Sequence, residues 1–180
     1  MGILNRVDNL RHTSLSSIKM INKISKNISQ LHFQTFGSTV YLIKLDNQNI
    51  LIDTSSKENQ QELIKNLKEL SLSPEDINTL ILTHNHYDHI GNNNLFPNAT
   101  IITSNNLQEL PEELKPIKTP GHTKDSICIL YKNILFSGDT IFHQGGRGRT
   151  DLEGGSEQQI LESIEKLKTI DYKILCPGHI

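Results

Sequence analysis

Short apolar runs separated by polar breaks fill the first part of the chain, and they predict β-strands. These runs are rich in isoleucine and leucine and cover residues 18–24, 28–33, 39–45 and 50–53. The breaks between them contain residues that favour tight turns, as in Asp46-Asn47-Gln48-Asn49. Because strands joined by short turns pair with their neighbours, we expect an antiparallel meander.

Two segments have the periodicity of amphipathic helices. Residues 60–70 place leucine and isoleucine on one face and charged residues off it. A second helix opens at Ser156, where Gln159 completes a capping box. We expect this helix to direct four apolar side chains inward: Ile160, Leu161, Ile164 and Leu167. A further helix start is predicted at Ser73-Pro74, with serine at the cap and proline in the first turn.

The remaining apolar runs predict more strands, and their order indicates the architecture. They cover residues 79–82, 99–103, a short stretch around 117, 125–131, 133–137 and 172–176. Residues 107–114 fit a helix or a loop. The chain therefore runs from strands through a helix to a strand, and then repeats that order. This layout predicts two sheets packed face to face with helices outside.

Composition and charge narrow the class of protein. The 180 residues fit one domain, 1–180, in which residues 1–17 form a helical or flexible arm. A net charge of -2 gives no basic field for nucleic acid or an anionic membrane, and no run approaches the ~18 apolar residues of a membrane helix. The two cysteines, Cys128 and Cys176, lie in apolar runs. We expect them to be reduced, which predicts a cytoplasmic protein.

Candidate chemistry is concentrated in Thr83-His84-Asn85-His86-Tyr87-Asp88-His89. Two histidines at i and i+2 project to one side only from extended backbone, so this segment belongs at the end of the strand before it. Imidazole and carboxylate ligands suit zinc, iron or manganese in an open, catalytic site. Residues this close together cannot surround one ion. We therefore expect His84 and His86 at one metal, and Asp88 and His89 at a second.

Three further polar residues each follow a glycine in a turn. They are His122 after Pro120-Gly121, Asp139 after Ser137-Gly138, and His179 after Pro177-Gly178. Glycine lets the backbone turn sharply and approach closely, as a metal-binding loop requires.

Taken together, these motifs resemble the metallo-β-lactamase superfamily from about residue 28 onward. The resemblance implies an α/β (α+β) fold, the four-layer αββα sandwich. It implies that one metal binds His84, His86 and His122, that a second binds Asp88, His89 and His179, and that Asp139 bridges them. Two Zn²⁺ ions per chain are the implied cofactors, with Fe²⁺ as the alternative. Asp53 is then expected to hydrogen-bond a ligand histidine.

A closer resemblance is carried by residues 137–155, which are similar to the glyoxalase II (hydroxyacylglutathione hydrolase) branch and to related persulfide dioxygenases. In that branch a basic residue of this loop holds a substrate carboxylate, and Arg149 stands at the matching position. His143 is also a candidate for contacting substrate. Ser55 replaces a usual glycine, so we expect the turn there to avoid glycine-only backbone angles. One residue follows His179 in this sequence, so we do not expect the helical glutathione-binding domain of true glyoxalase II.

The leading hypothesis is hydrolysis of a small thioester or ester by a hydroxide that bridges two metals. The metals lower the pKa of water from ~15.7 towards ~7. Asp88 and Asp139 would act as the catalytic carboxylates that orient it. The first alternative is a mononuclear iron persulfide dioxygenase, since His122, Asp139 and one further histidine form a two-histidine, one-carboxylate set. The other is a lactone or phosphoester hydrolase of the same superfamily.

Overall fold

The computed structural model describes residues 20–180, so the arm predicted over residues 1–17 lies outside the described part. Within these residues ten strands form: β1 (Ile21–Ser25), β2 (Ile28–Leu31), β3 (Val40–Leu45), β4 (Gln48–Ile52), β5 (Thr79–Ile81), β6 (Thr100–Ile102), β7 (Leu114–Lys118), β8 (Ile127–Tyr131), β9 (Ile134–Gly138) and β10 (Ile174–Pro177). The α-helices are α1 (Gln60–Glu69), α2 (Tyr87–Ile90) and α3 (Glu157–Lys168).

The first sheet confirms the meander expected from the apolar runs. Its strand order is β1-β2-β3-β4-β5-β6. Strands β1 to β4 pair antiparallel, whereas β4, β5 and β6 are parallel. Helix α1 connects β4 to β5, because a parallel neighbour requires a crossover connection. The carboxyl ends of β4 and β5 therefore lie at the same edge of the sheet.

The second sheet brings the last strand of the chain beside an earlier one. Its order is β10-β9-β8-β7, with β7, β8 and β9 antiparallel and β10 parallel to β9. Helix α3 supplies the crossover from β9 to β10. As in the first sheet, two parallel strands end at a common edge.

Alternation along the strands produces three apolar layers. In β3, Tyr41 and Ile43 face the second sheet and join the core between the sheets, while Val40 and Leu42 pack against α1 on the opposite face. A smaller cluster holds α3 against the outer face of the second sheet through Leu167. The layers are thus helix, sheet, sheet and helix, which confirms the expected αββα sandwich.

Helix α3 differs from its sequence pattern at one position. Ile160 and Leu167 are buried as expected, but Leu161 is 47% exposed, so its inward assignment was wrong. Leu161 follows Ile160 by one residue, about 100° around the helix. Ser163 lies inward instead, and its hydroxyl donates to the carbonyl of Pro120 at 2.7 Å. A serine that satisfies a buried carbonyl can replace an apolar residue at a helix face.

Other boundaries differ in detail. The helix start at Ser73 gives one helical turn, Pro74–Asp76, closed by a capping box with Asp76. The Ser156 hydroxyl accepts from the Gln159 amide, which caps α3. The segment left open as helix or loop contains one turn, Leu107–Glu109, before β7. In the described part of the chain, every helix is too short or too polar to cross a membrane.

Candidate metal centre

The ends of four strands meet at one edge of the sandwich and carry most of the polar candidates. Asp53 follows β4, His84 follows β5 closely, Asp139 follows β9 and His179 follows β10. His122 comes from the turn between β7 and β8. Parallel pairing brings these ends together, because parallel strands present the same end to one edge. We call the seven side chains that gather here the His/Asp cluster: His84, His86, Asp88, His89, His122, Asp139 and His179.

The first group of the cluster contains three imidazoles whose nitrogens converge. Nδ1 of His86 lies 3.0 Å from Nε2 of His84 and 2.9 Å from Nε2 of His122. The outer nitrogen of His122 lies 2.7 Å from the carbonyl oxygen of Arg149, which can only accept, so it carries the ring proton. The Thr83 hydroxyl donates to Asp53 and therefore accepts from Nδ1 of His84. Two of the three converging nitrogens, Nε2 of His84 and Nε2 of His122, are thus unprotonated and present a lone pair.

The second group contains Asp88, His89 and His179. Nε2 of His89 and Nε2 of His179 are 3.3 Å apart, and Oδ2 of Asp88 lies 3.2 Å from Nε2 of His179. Asp88 and His89 are presented by the short helix α2, whose N-cap is His86. The N-cap of this short helix therefore belongs to the first group, and two residues within the helix belong to the second.

Asp139 lies between the two groups. Its Oδ2 is 3.5 Å from Nε2 of His122 and 3.4 Å from Nε2 of His179, while its Oδ1 is 3.3 Å from Nε2 of His89. Oδ1 is buried and has no hydrogen-bond partner among the described residues. One carboxylate therefore faces both groups, as the resemblance implied.

Burial and charge oppose one another across the cluster. Burial, together with the neighbouring His89, lowers the pKa of His84 well below its ordinary value. Burial alone would also lower the pKa of His89, but the carboxylates of Asp53 and Asp139 raise it to about 10. In His179 the same competition, with Asp139 and Asp88 as partners, raises the pKa to about 9. Burial of Asp139 is outweighed by His179 and His89, which hold its pKa far below its usual range. The carboxylates thus strongly favour positive charge within the second group.

The residues present fit a pair of metal ions. Oδ1 of Asp139 is a buried carboxylate oxygen without a partner in the described part of the chain, and the imidazole lone pairs of the first group point at one another. Both arrangements cost free energy unless a cation lies between the groups. The donors are imidazole and carboxylate, the set that binds zinc, iron and similar divalent ions. Three donor atoms converge in each group, and Asp139 can serve both. The cluster therefore fits a dinuclear metal site.

Asp53 and Thr83 form a layer behind the ligands. Oδ2 of Asp53 accepts from Nδ1 of His89 at 2.8 Å and from the Thr83 hydroxyl at 2.8 Å. Oδ1 accepts from the Thr83 backbone amide at 2.8 Å. These bonds fix which nitrogen of His89 carries the proton and leave Nε2 directed into the second group.

The turn after β4 contradicts one expectation. Ser55 has a φ of 61°, the left-handed conformation that glycine favours, although we expected serine to avoid it. Its hydroxyl accepts from Asn59 at 3.0 Å, and its carbonyl accepts from the amide of Gly91 at 2.9 Å. Local strain of about 1–3 kcal/mol is tolerated where surrounding bonds fix the backbone in this way.

The two substrate candidates occupy different places. Arg149 lines the cavity beside the cluster, but its guanidinium is exposed and donates to both carboxylate oxygens of Asp151, at 2.7 and 2.6 Å. His143 does not line that cavity. It lies in a separate depression beside α3, whereas its neighbour Phe142 lines both that depression and the cavity over the cluster.

The cavity over the cluster has a volume of 360 Å³, within the range of small-molecule sites. Its floor is formed by ligands of both groups, including His86, Asp88 and Asp139. Its walls are mostly apolar and come from three separate loops: Phe36, Tyr87, Phe142 and Leu152.

Sequence patterns gave no sign of several groups that shape the site. The carbonyl of Arg149 holds His122, and the hydroxyl of Tyr41 donates to the carbonyl of Pro177 at 2.8 Å, which anchors the strand before His179. A backbone carbonyl has no residue signature. Thr83, in contrast, directly precedes His84, and a hydroxyl beside a metal ligand could have been noted.

Comparison with known proteins agrees with this geometry. A probable metallo-hydrolase of Methanocaldococcus jannaschii is 44% identical over 101 residues, about half of this chain and half of that protein. A second probable metallo-hydrolase of the same organism is 33% identical over 193 residues, covering 84% of this chain and 92% of that protein. The crystal structure of ETHE1 from Myxococcus xanthus matches with a TM-score of 0.68 and 27% identity, over 85% of this chain and 75% of that one.

The family model for the metallo-beta-lactamase superfamily matches residues 34–104 and 103–179. Together these segments contain every member of the His/Asp cluster. The chain therefore belongs to the metallo-beta-lactamase superfamily.

Proposed function

We propose that the protein is a dinuclear metallohydrolase that cleaves small thioesters or esters. The observation that carries this proposal is the position of Asp139, a buried carboxylate that faces both groups of the cluster. A carboxylate so placed supports two ions close enough to act on one substrate. The relatives named as probable metallo-hydrolases support the same class of reaction.

Two divalent ions held here would lower the pKa of a coordinated water and polarise a substrate carbonyl. The chain itself supplies the positioning. Asp88 and Asp139 can accept hydrogen bonds from the attacking water and so orient it toward the cavity. Imidazoles whose outer nitrogens are already hydrogen-bonded, as in His89 and His122, keep their inner nitrogens fixed.

The cavity wall argues against a serine, cysteine or lysine nucleophile. Serine, cysteine and lysine are absent from the described residues that line it. Both cysteines are buried elsewhere, and burial raises the pKa of the Cys128 thiol to about 11. Because a thiol with so high a pKa is a poor nucleophile at neutral pH, water is the expected attacking group. A thiolate departs readily without a strong acid, which suits thioesters.

Metal analysis paired with a thioester-cleavage assay tests the proposal. We expect about two equivalents of zinc per chain, and turnover that is lost on chelation and restored by zinc. His179→Gln should lose one equivalent, whereas His143→Gln should keep both. One iron per chain, with oxygen consumed only when a persulfide is supplied, would reject the hydrolase and support the persulfide dioxygenase. Cleavage of lactones or phosphoesters without thioester cleavage would correct the substrate class.

A further inference from the structure

Large apolar side chains remain in solvent at the mouth of the cavity. Phe36 is 64% exposed, Tyr87 is 68% exposed and Leu152 is 42% exposed. With the half-buried Phe142 they form what we call the apolar rim. Scattered exposed hydrophobic residues are ordinary on a protein surface, but a contiguous set around a cavity indicates a binding surface.

Two members of the rim, Phe36 and Phe142, are held in place by their neighbours. The backbone carbonyl of Phe36 accepts from the buried Ser56 hydroxyl at 2.6 Å and from the buried Asn59 amide at 3.4 Å. The Phe36 ring stacks on the imidazole of His179, with centroids 5.5 Å apart and planes at 13°. Phe142 meets the same imidazole edge-on at 6.0 Å. Two rings therefore flank a ligand of the second group.

The charge on the cavity wall is already compensated. Arg149 is the one lysine or arginine among the described residues that line the cavity, and its Nε and Nη2 both donate to the carboxylate of Asp151. A substrate carboxylate would have to displace Asp151 from that bidentate pair. The wall thus presents exposed apolar surface to a substrate. Its one cationic group, Arg149, can contact a substrate carboxylate only in competition with Asp151.

From these observations we infer that the substrate is an uncharged thioester or ester with an apolar acyl group, either an aromatic ring or a short alkyl chain. The acyl group packs against the apolar rim, and its carbonyl lies over Asp88 and Asp139. This inference rests on the proposed hydrolase function and adds the substrate class. It also assigns a specificity role to the pair formed by Arg149 and Asp151, which disfavours acyl groups that end in a carboxylate.

The test uses thioesters of one thiol, N-acetylcysteamine, that differ only in the acyl group. Acetyl, hexanoyl, phenylacetyl and succinyl thioesters vary in apolar area and charge with the leaving group held constant. For the zinc-loaded protein we expect kcat/KM to be about tenfold or more higher for hexanoyl and phenylacetyl than for acetyl and succinyl. Equal values for all four, or a preference for succinyl, would overturn the inference.

Two variants locate the preference on the rim. Phe36→Ser should lower the ratio of kcat/KM for the phenylacetyl thioester to kcat/KM for the acetyl thioester about tenfold. A ratio is the readout because any effect on zinc binding through His179 would lower both values equally. Leu161→Ser is the matched control, because it also removes an exposed apolar side chain but lies on α3 away from the cavity. An equal loss for both thioesters in Phe36→Ser would contradict a specificity role for the rim.

A second pair of variants tests the compensated charge. Asp151→Ala frees the guanidinium and should raise kcat/KM for the succinyl thioester about tenfold, with phenylacetyl little changed. Arg149→Met in the Asp151→Ala background should abolish that gain. Failure of Asp151→Ala to improve the succinyl thioester would remove the charge pair from the proposal.

A binding measurement separates this inference from the proposed function. Thioether analogues, in which a methylene replaces the carbonyl of the thioester, cannot be hydrolysed, and their affinities for the protein can be measured by calorimetry. We expect the phenylacetyl analogue to bind more tightly than the acetyl analogue, and Phe36→Ser to remove that difference. This result would support binding of the acyl group by the apolar rim even if no thioester were cleaved. Thioester cleavage with equal analogue affinities would retain the hydrolase and reject the rim.

Discussion

Nδ1 of His89 lies 2.8 Å from Oδ2 of Asp53, and both side chains are buried. The same carboxylate accepts two hydrogen bonds from Thr83. Asp53 therefore holds His89 from behind while contributing no atom to the groups that converge on a metal.

We expect Asp53→Asn to weaken metal binding at the second group about 10–100-fold. The amide is uncharged, and its nitrogen faces a donor where the carboxylate had an acceptor. Competition with a fluorescent zinc chelator measures the change. Asp171→Asn, on the surface, is the matched control. Unchanged affinity in Asp53→Asn would mean that packing alone orients His89.

Gly148 provides a steric test of the first group. A β-carbon at this position would overlap the carbonyl oxygen of Asp139 and lie 2.6 Å from Nδ1 of His122. We expect Gly148→Ala to displace His122, lower the metal content and reduce turnover by an order of magnitude or more. Gly146→Ala is the comparison, because its β-carbon would lie 3.3 Å from the Phe142 side chain, a tight contact that shifts a rim residue but involves no member of the first group. Equal metal content in the two variants would contradict this packing.

Two leucines of α3 test the layer assignment. Leu167 is 1% exposed and Leu161 is 47% exposed. Leu167→Ala should lower the free energy of unfolding by about 2–5 kcal/mol, and Leu161→Ala by less than about 1 kcal/mol. Urea denaturation of the metal-free protein measures both, so that metal binding does not obscure the comparison. Comparable losses would mean that α3 is rotated from its described position.

The buried thiols predict a loss of stability at alkaline pH. Burial raises the pKa of Cys128 from 9.0 to about 11 and that of Cys176 from 9.0 to about 12. Below pH 9 the thiols are protonated in both the folded and the unfolded chain. As the pH rises, the unfolded thiols ionise first, so stability falls by up to about 1.4 kcal/mol per pH unit for each thiol. The fall should continue until the folded thiols titrate.

Urea denaturation between about pH 8 and about pH 11 checks this slope, and a Cys128→Ala/Cys176→Ala variant isolates the thiols from the other alkaline groups. The slope of the double variant should be smaller. Native protein near pH 8 should also resist a thiol-reactive disulfide reagent until it is unfolded. Rapid labelling of the native protein would show that a thiol is accessible.

Much of the architecture could be predicted because its causes are local. Period-two alternation within β3 and the helical spacing within α1 each fix which side faces a core. The seven ligand positions follow from residue type and from their location at strand ends. The close spacing of the first four predicted their division between two groups. The assignment of His122, Asp139 and His179 to those groups needed the family resemblance, because spacing alone does not determine which distant loops meet.

What could not be predicted depends on contacts made across the fold. Ser163 is inward in α3 because the carbonyl of Pro120 needs a donor, and that carbonyl comes from a different part of the chain. Ser55 adopts a left-handed conformation because Asn59 and Gly91 hold it. The pairing of Arg149 with Asp151 depends on the shape of one loop, which the sequence pattern does not determine.

Arg149 serves the cluster through its backbone carbonyl and the cavity through its side chain. The carbonyl is present whatever residue occupies the position, so side-chain substitutions there should leave His122 in place. Under the proposed substrate class, we therefore expect variation at position 149 to change the preference among acyl groups without displacing His122. New specificities could evolve in this loop by single substitutions, each tested by selection while hydrolysis continues.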